Sequence, residues 1–145
     1  MIGKLPHASK GDLDLALASA QKAFQAWRRS SPMDRSKILR KVAELSRARA
    51  KEIGANITMD MGKPLAEAAG EVTVCSEHAD WAAEECRRIY GRVIAPRAEG
   101  VRQFVLKEPI GVVAAFSPWN FPYNQAIRKI VSALGAGWLL TSPAV

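Results

Sequence analysis

The 145-residue sequence has no long apolar segment. Its longest apolar run, from Ile110 to Phe116, spans seven residues, whereas a helix that crosses a membrane needs about 20. Residues Met1 to Asp12 are polar and lack the apolar core of a secretory signal. The sequence therefore predicts neither membrane insertion nor export, and we expect a cytoplasmic protein.

Cysteine and histidine are scarce, with two residues of each. Cys75 and Cys86 lie eleven residues apart on one predicted helix, which separates them by about 16 Å, and a disulfide needs Cα atoms within about 7 Å. No CxxC or Cys/His spacing typical of zinc occurs, and His7 and His78 stand alone. We expect no intramolecular disulfide and no metal site.

Negative charge is in the minority, with 14 Asp and Glu against 21 Lys and Arg and a net charge of +7. The second predicted helix and Arg87-Arg88 carry many of the positive residues, so a basic helical module that binds nucleic acid or acidic partners is one hypothesis. Acidic residues interrupt this charge at Glu44, Glu52, Glu84 and Glu85. Because no nucleic-acid motif occurs, a solvated helix face is preferred, and we expect no nucleic-acid partner.

Apolar residues recur at helical spacing through much of the first ninety residues. After an entry loop at Met1–Gly11, we expect a first helix from its N-cap Asp12 to about Ser30, and a second from Asp34 to Met59. The second helix is predicted to face inward with Ile38, Leu39, Val42, Leu45, Ile53 and Ile57. Its predicted outer face holds Arg35, Lys37, Arg40, Lys41, Arg47, Arg49 and Lys51.

A third helix is predicted after the break at Gly62-Lys63-Pro64. It carries a seam of mostly small residues at steps of three and four: Leu65, Ala68, Val72, Cys75, Ala79, Ala82, Cys86 and Ile89. Small residues allow a neighbouring helix to approach closely. Cys75 and Cys86 are therefore predicted to be core residues rather than reactive thiols.

The pattern changes to short strands after Tyr90. Gly91–Ala95 and Val101–Glu108 resemble the two strands of a hairpin, and the run Ile110–Phe116 is typical of a parallel strand buried on both faces. A helix over Asn124–Ala136, with Ile127, Val131 and Leu134 on one face, and a new strand from Trp138 then complete a β-turn-α-β pattern. This is the beginning of a doubly wound sheet, whose edges and faces such a short piece would leave open.

The segment Ser117-Pro118-Trp119-Asn120-Phe121-Pro122 directly follows the apolar run. Its two prolines restrict the backbone, and ligands of open α/β sheets bind at the carboxyl ends of strands. Trp119 offers a flat wall, and Asn120 offers an amide donor that could stabilise an oxyanion. Spacing alone favours a structural asparagine in a proline-bounded turn over this catalytic interpretation.

Two segments resemble the NAD(P)-dependent aldehyde dehydrogenase superfamily. The first is Glu108-Pro-Ile-Gly-Val-Val-Ala-Ala-Phe-Ser-Pro-Trp-Asn-Phe-Pro122, and the second is Met61-Gly-Lys-Pro-Leu65 with Glu71-Val72 just after it. The likeness runs in family order from Ile2 to Gly137. It implies an α/β chain with N-terminal helices, a β-hairpin arm and the first part of a doubly wound parallel-sheet cofactor domain, an incomplete aldehyde dehydrogenase fold.

The same resemblance divides the chain into three parts. Residues 1–89 would form the helical part of the cofactor-binding domain, residues 90–108 a β-hairpin oligomerisation arm, and residues 109–145 the start of a Rossmann-like β-α-β unit. The hairpin resembles the family's arm that adds strands to a neighbouring subunit, which implies a homo-oligomer.

The resemblance also implies site residues. Ser117, Pro118 and Trp119 match the turn that lies against the nicotinamide side of NAD or NADP, and Asn120 matches the amide that holds the oxyanion of the thiohemiacetal. Arg128 matches a substrate-pocket position that in succinate-semialdehyde dehydrogenases is also Arg and pairs with the distal carboxylate. The alternative for Arg128 is a surface arginine.

The implied function is NAD(P)-dependent oxidation of an aldehyde, including a semialdehyde with a distal carboxylate, to the carboxylic acid. The family's nucleophilic cysteine and general-base glutamate belong to later parts of its chain, and neither Cys75 nor Cys86 matches the nucleophile. After Gly137 the sequence also lacks the family's Lys-Pro pair, which suggests a truncated or frameshifted reading frame. We therefore expect this chain to be inactive alone, and a non-catalytic interaction fragment is the alternative.

Overall fold

The computed structural model describes residues 7–141, and within them the chain forms helices and four short strands. The helices are α1 (Lys10–Trp27), α2 (Pro32–Ala48), α3 (Ala50–Met61), α4 (Leu65–Glu85) and α5 (Pro122–Gly135). The strands are β1 (Arg92–Ile94), β2 (Gln103–Val105), β3 (Val112–Ala114) and β4 (Leu139–Thr141). Most of the predicted entry loop, and the last residues of the segment that departs from the Lys-Pro pattern, lie outside the described residues.

Helix α1 begins earlier than the sequence predicted. Ser9 is the N-cap, because its hydroxyl accepts a hydrogen bond from the Asp12 backbone N–H at 3.2 Å. The Asp12 carboxylate in turn accepts from the Ser9 N–H at 2.8 Å, which completes a capping box. The prediction that Asp12 is the N-cap was therefore wrong by three positions, and the helix ends at Trp27 rather than near Ser30.

The long second helix of the prediction is two helices. Arg49 separates α2 from α3 with φ −104° and ψ 12°, although its N–H still bonds to the Leu45 carbonyl and its own carbonyl accepts from Ile53. Because one residue outside helical geometry leaves the apolar periodicity nearly unchanged, the sequence pattern could not reveal this break. Both α2 and α3 pack on α4.

The buried face of α2 also differs from the prediction. It consists of Arg35, Ser36, Leu39, Ala43 and Ser46, whereas the predicted core residues Ile38 and Leu45 are exposed. Arg35 was expected on the solvated face, but its guanidinium donates to the Gly135 carbonyl at 3.2 Å and to the Ser30 carbonyl at 2.7 Å. A buried Arg is tolerated here because these carbonyls accept from two of its N–H donors.

Helix α4 is the centre of the packing. Its seam residues Ala68, Val72, Cys75, Ala79, Ala82 and Cys86 are all buried, which confirms the predicted core role of both cysteines. Only the two ends of the predicted seam were wrong, because Leu65 and Ile89 are exposed. The small side chains of α4 receive α2, α3 and α5, whose Leu39, Ile57 and Val131 fill the space between the helices.

The strands form two separate pairs. β1 and β2 are antiparallel with Val93 opposite Phe104, so the predicted hairpin is confirmed, with strands shorter than expected. β3 and β4 are parallel with Val113 opposite Leu140, and α5 connects them as the β-turn-α-β pattern predicted.

Burial of the apolar run on both faces was a wrong expectation. Ile110 is 74% exposed and Phe116 is also exposed, because the described residues cover the β3–β4 pair only in part, mainly with α1 and α5.

No helix within residues 7–141 is long and apolar enough to cross a membrane.

Candidate functional site

The segment between β3 and α5 leaves the carboxyl end of a parallel strand, as predicted. Pro122 is the first residue of α5, a position that needs no N–H donor. The N-cap Phe121 has φ −137° and ψ 71°, outside the helical region that a following proline disfavours. The corner is therefore bounded by the end of β3 at Ala114 and by Pro122, which fixes where the helix begins.

Ser117, Pro118, Trp119 and Asn120 all lie on this corner and are exposed, Trp119 by 76%. Among the described residues, neither the Ser117 hydroxyl nor the Asn120 carboxamide has a hydrogen-bond partner. The carboxamide is consequently an unengaged donor and acceptor on a restrained turn.

Two residues with no predicted role, Lys63 and Glu71, hold the backbone of this corner and of the start of α5 through hydrogen bonds. The Lys63 ammonium and the Glu71 carboxylate form an ion pair, and the same ammonium donates to the Asn120 backbone carbonyl at 3.3 Å. The second Glu71 oxygen accepts from the Asn124 backbone N–H at 3.0 Å. Glu71 could have been found from the sequence, since it stands three residues after Ala68 and four before Cys75, where the seam spacing predicts an inward side chain.

A groove of about 360 Å³ lies beside this ion pair, between α4 and the start of α5. Its lining includes Glu67, Val74, Cys75 and Phe121. Burial raises the pKa of the Cys75 thiol and the Glu71 charge adds to that effect, while the positive charges of Arg128 and Lys63 oppose it. The Asn124 Oδ1 is buried without a hydrogen-bond partner in the described part of the chain.

Arg128 is exposed on α5, one helical turn after Asn124. The structure does not bring it into contact with the 117–120 corner, although its charge acts on the Cys75 thiol of the neighbouring helix. Within residues 7–141 it forms no ion pair. Its guanidinium is therefore free to pair with an anion.

The second cysteine has surroundings that disfavour the thiolate form. Cys86 ends α4, and burial raises the pKa of its thiol, opposed in part by the neighbouring Arg35 guanidinium. The cavity that it lines lies at the C-terminal ends of α4 and α5, about a helix length from the Asn120 corner. The described residues also contain no cluster of three His, Cys, Asp or Glu able to hold a metal.

The geometry thus offers an exposed carboxamide on a turn that follows the carboxyl end of a parallel strand, and within residues 7–141 no exposed cysteine accompanies it. Comparison with known proteins gives this arrangement a context, because the model of the aldehyde dehydrogenase family matches residues 1–140. The chain belongs to the aldehyde dehydrogenase family. Both motifs identified in the sequence lie within the matched residues.

Individual relatives agree with this family. The chain is 44% identical over 122 residues to the mitochondrial succinate-semialdehyde dehydrogenase of Arabidopsis thaliana, covering 84% of this chain and 23% of that protein. It is 38% identical over 136 residues to the NADP+-dependent succinate-semialdehyde dehydrogenase of Escherichia coli K12, covering 94% of this chain and 28% of that enzyme. The chain therefore spans less than a third of the length of these relatives.

The fold agrees as well. A crystal structure of an NADP-dependent enzyme from E. coli superimposes with a TM-score of 0.94 at 38% identity, over 98% of this chain and 30% of that one. The expected fold class, an N-terminal portion of an aldehyde dehydrogenase with helices, a hairpin and the first strands of a parallel sheet, is confirmed.

Proposed function

We propose that this chain supplies the oxyanion-stabilising corner of an NAD(P)-dependent aldehyde dehydrogenase that converts an aldehyde to its carboxylic acid. The observation that carries the proposal is the position of Asn120. Its carboxamide is exposed and unengaged, while its backbone is held at the carboxyl end of β3. Chemically, such a donor is suited to a carbonyl oxygen that becomes negative when a nucleophile attacks.

The residues of the corner fit the nicotinamide end of the cofactor. Ser117, Pro118 and Trp119 are exposed at the strand end where doubly wound sheets bind dinucleotides, and the 76% exposed Trp119 offers a face for a flat ring. NAD(P)+ supplies acceptance of a hydride when bound. The backbone and side chains of residues 117–119 would orient it, with no choice between NAD and NADP following from them.

Asn120 would act by hydrogen bonding alone. Its amide N–H₂ would donate to the substrate oxygen and would stabilise that oxygen more strongly once it carries negative charge. Because the carboxamide does not titrate, this contribution is expected to be independent of pH. Removing one such donor in other acyl-transfer sites lowers kcat by about 10² to 10³.

Arg128 supports a narrower substrate class, an aldehyde with a distal carboxylate. An exposed guanidinium without an ion pair in the described residues can bind a carboxylate through two parallel hydrogen bonds. Two relatives described above are named succinate-semialdehyde dehydrogenases, and the substrate in those names carries such a carboxylate.

We also propose that the hairpin at residues 90–108 joins this chain to a second subunit in a homo-oligomer. β1 and β2 pair only with each other among the described strands, so each keeps one free edge. Val93 and Phe104 on these strands are exposed, as is Leu106 directly after β2. Free edges of this kind accept another strand.

A nucleic-acid partner is not supported, since positive residues of α2 are already engaged in ion pairs. Their acidic partners are Asp34, Glu84, Glu44 and Asp80.

The 145 residues by themselves are expected to be inactive. Both cysteines are buried with raised thiol pKa, so neither offers the thiolate that covalent aldehyde oxidation requires. The purified chain with NAD+ or NADP+ and an aldehyde should therefore produce no NAD(P)H above background.

A chimera tests the proposed function directly. Residues 1–137 of this chain would replace the matching segment of the E. coli succinate-semialdehyde dehydrogenase, and NAD(P)H formation would be followed by absorbance. We expect turnover of succinate semialdehyde within about tenfold of the parent enzyme, since the aligned segments share 38% of their residues. A folded chimera of the parent's oligomeric state without turnover would contradict the proposal.

The same chimera tests the substrate class. Arg128→Leu should raise KM for succinate semialdehyde by about tenfold or more and leave butanal unchanged, because only the former offers a carboxylate. Lys129→Leu is the matched control, and it should affect both aldehydes equally. Equal effects of Arg128→Leu on both aldehydes would make Arg128 a surface residue.

A further inference from the structure

Among the ion pairs of the described residues, Lys63–Glu71 alone is buried. Its side chains are 10% and 4% exposed, whereas every other ion-paired side chain in residues 7–141 is at least 33% exposed. Burying two charges costs hydration that their attraction does not reliably return, so such a pair gives little reason to expect extra stability. Its contacts indicate what it contributes instead.

The pair holds the chain on both sides of the corner. Lys63 donates to the Asn120 carbonyl at 3.3 Å, and its ammonium lies 3.9 Å from the centroid of the Phe121 ring. Glu71 accepts from the Asn124 N–H at 3.0 Å. One ion pair on and before α4 therefore restrains the residue that carries the carboxamide and the first turn of the helix after it.

Helix α5 depends on Glu71 at its start. Its N-cap Phe121 makes no side-chain cap, and its first turn contains no acidic residue. The Glu71 carboxylate supplies, from another helix, the acceptor and the negative charge that a helix N-terminus favours. The Lys63 ammonium keeps this carboxylate paired.

We propose that Lys63 and Glu71 are positioning residues that hold the backbone from which the Asn120 carboxamide projects. This inference rests on the proposed function, since it matters to catalysis only if Asn120 meets a substrate oxygen. An oxyanion donor must lie about 2.7–3.1 Å from the charge it stabilises. A displacement of about 1 Å can cost about a hundredfold in rate.

The 145-residue chain labelled with ¹⁵N allows a test by NMR without substrate or cofactor. Two readouts are needed: the side-chain amide signals of Asn120, and the hydrogen exchange of the Asn124 and Gln125 backbone amides relative to Val131 in the middle of α5. Lys63→Met and Glu71→Gln should each shift or broaden the Asn120 signals. They should also speed exchange at Asn124 and Gln125 about tenfold, the factor expected from losing a charge-assisted hydrogen bond.

Two further variants separate positioning from general loosening. Lys63→Arg should leave the Asn120 signals as they are in the unmodified chain, because a guanidinium can reach the same acceptors with the same charge. Arg47→Met removes another ion pair of α4, that with Asp80, and should leave Asn120 and Asn124 unchanged.

Unchanged Asn120 signals and Asn124 exchange in both primary variants would overturn the inference, as would an equal response to Arg47→Met. If Lys63→Met prevents folding, Glu71→Gln decides, since it keeps the shape of the side chain. Aldehyde turnover by the chimera is a separate measurement, so an inactive chimera beside a responsive Asn120 signal would refute the proposed function alone.

Discussion

The helices and the strands of this chain differ in how completely they are packed. Helix α4 packs against α2, α3 and α5, and Leu39, Val72 and Val131 are almost wholly buried. The strands, by contrast, form two separate pairs, and Val93 and Phe104 on the hairpin strands are exposed. Helices satisfy their backbone within themselves and need only one apolar stripe covered, whereas a sheet needs neighbours at its edges and layers on its faces.

This difference bears on how the candidate site is held. The Asn120 corner begins in the poorly covered strand β3 but is tied through Lys63 and Glu71 to the well-packed α4. The site therefore takes its geometry from the helical part, although it belongs by topology to the sheet. Variants that weaken the helical core and variants of exposed strand residues should behave differently.

The largest expected contrast compares two leucines. Leu39→Ala removes a side chain with 0% exposure from the core and should lower the free energy of unfolding by about 2–5 kcal/mol. Leu106→Ala removes one that is 76% exposed and should change it by less than about 0.5 kcal/mol. Urea denaturation followed by circular dichroism measures both, and similar losses would show that the hairpin packs in solution.

Two glycines test the packing of α3 on α4 at a finer scale. A Cβ at Gly54 would lie 2.8 Å from the Ala69 backbone nitrogen, while one at Gly70 would meet no atom within 4 Å. Gly54→Ala should therefore destabilise the chain by about 1–3 kcal/mol through overpacking. Gly70→Ala should stabilise it by about 0.5–1 kcal/mol through helix propensity. Thermal melts measure the change in stability of both variants. If both variants were stabilised, or both destabilised, the close α3–α4 contact at Gly54 would be contradicted.

The smallest effect concerns the N-terminal start of α1, a helix with one buried residue. Hydrogen bonds from the Ser9 backbone and hydroxyl lower the pKa of Asp12 below its ordinary value. A lowered pKa in the folded state means that the contribution to stability is complete above the unfolded pKa and is lost as pH falls through the folded pKa. Asp12→Asn should flatten the acid dependence of helicity, measured by circular dichroism, while Asp60→Asn should not. Equal profiles for the two variants would argue against the capping box.

Local patterns predicted much of the fold. The α4 seam, the hairpin and the parallel β3–β4 pair followed from periodicity and turn residues that lie close together in sequence. The break at Arg49 escaped prediction because one non-helical residue hardly disturbs a period of 3.6. Arg35 was placed on the wrong face because its acceptor, the Gly135 carbonyl, lies a hundred residues away.

The candidate site was likewise predicted from the sequence only in part. The exposed corner at residues 117–120 was predicted from two prolines and a preceding apolar run, with its roles supplied by resemblance. Its support by Lys63 and Glu71 was not predicted, because the contacts with Asn120 and Asn124 span more than fifty residues. A motif in the sequence marked both residues, but only the fold joins that motif to the corner.

The most direct test of the account is the turnover of the chimera with and without the Asn120 carboxamide. Asn120→Ala should lower kcat for succinate semialdehyde by about 10² to 10³ with little change in KM. Asn56→Ala, which removes an exposed carboxamide from α3, should leave both constants within about twofold. A kcat for Asn120→Ala equal to that of the Asn56→Ala control would contradict the claim that this corner stabilises the reacting oxygen.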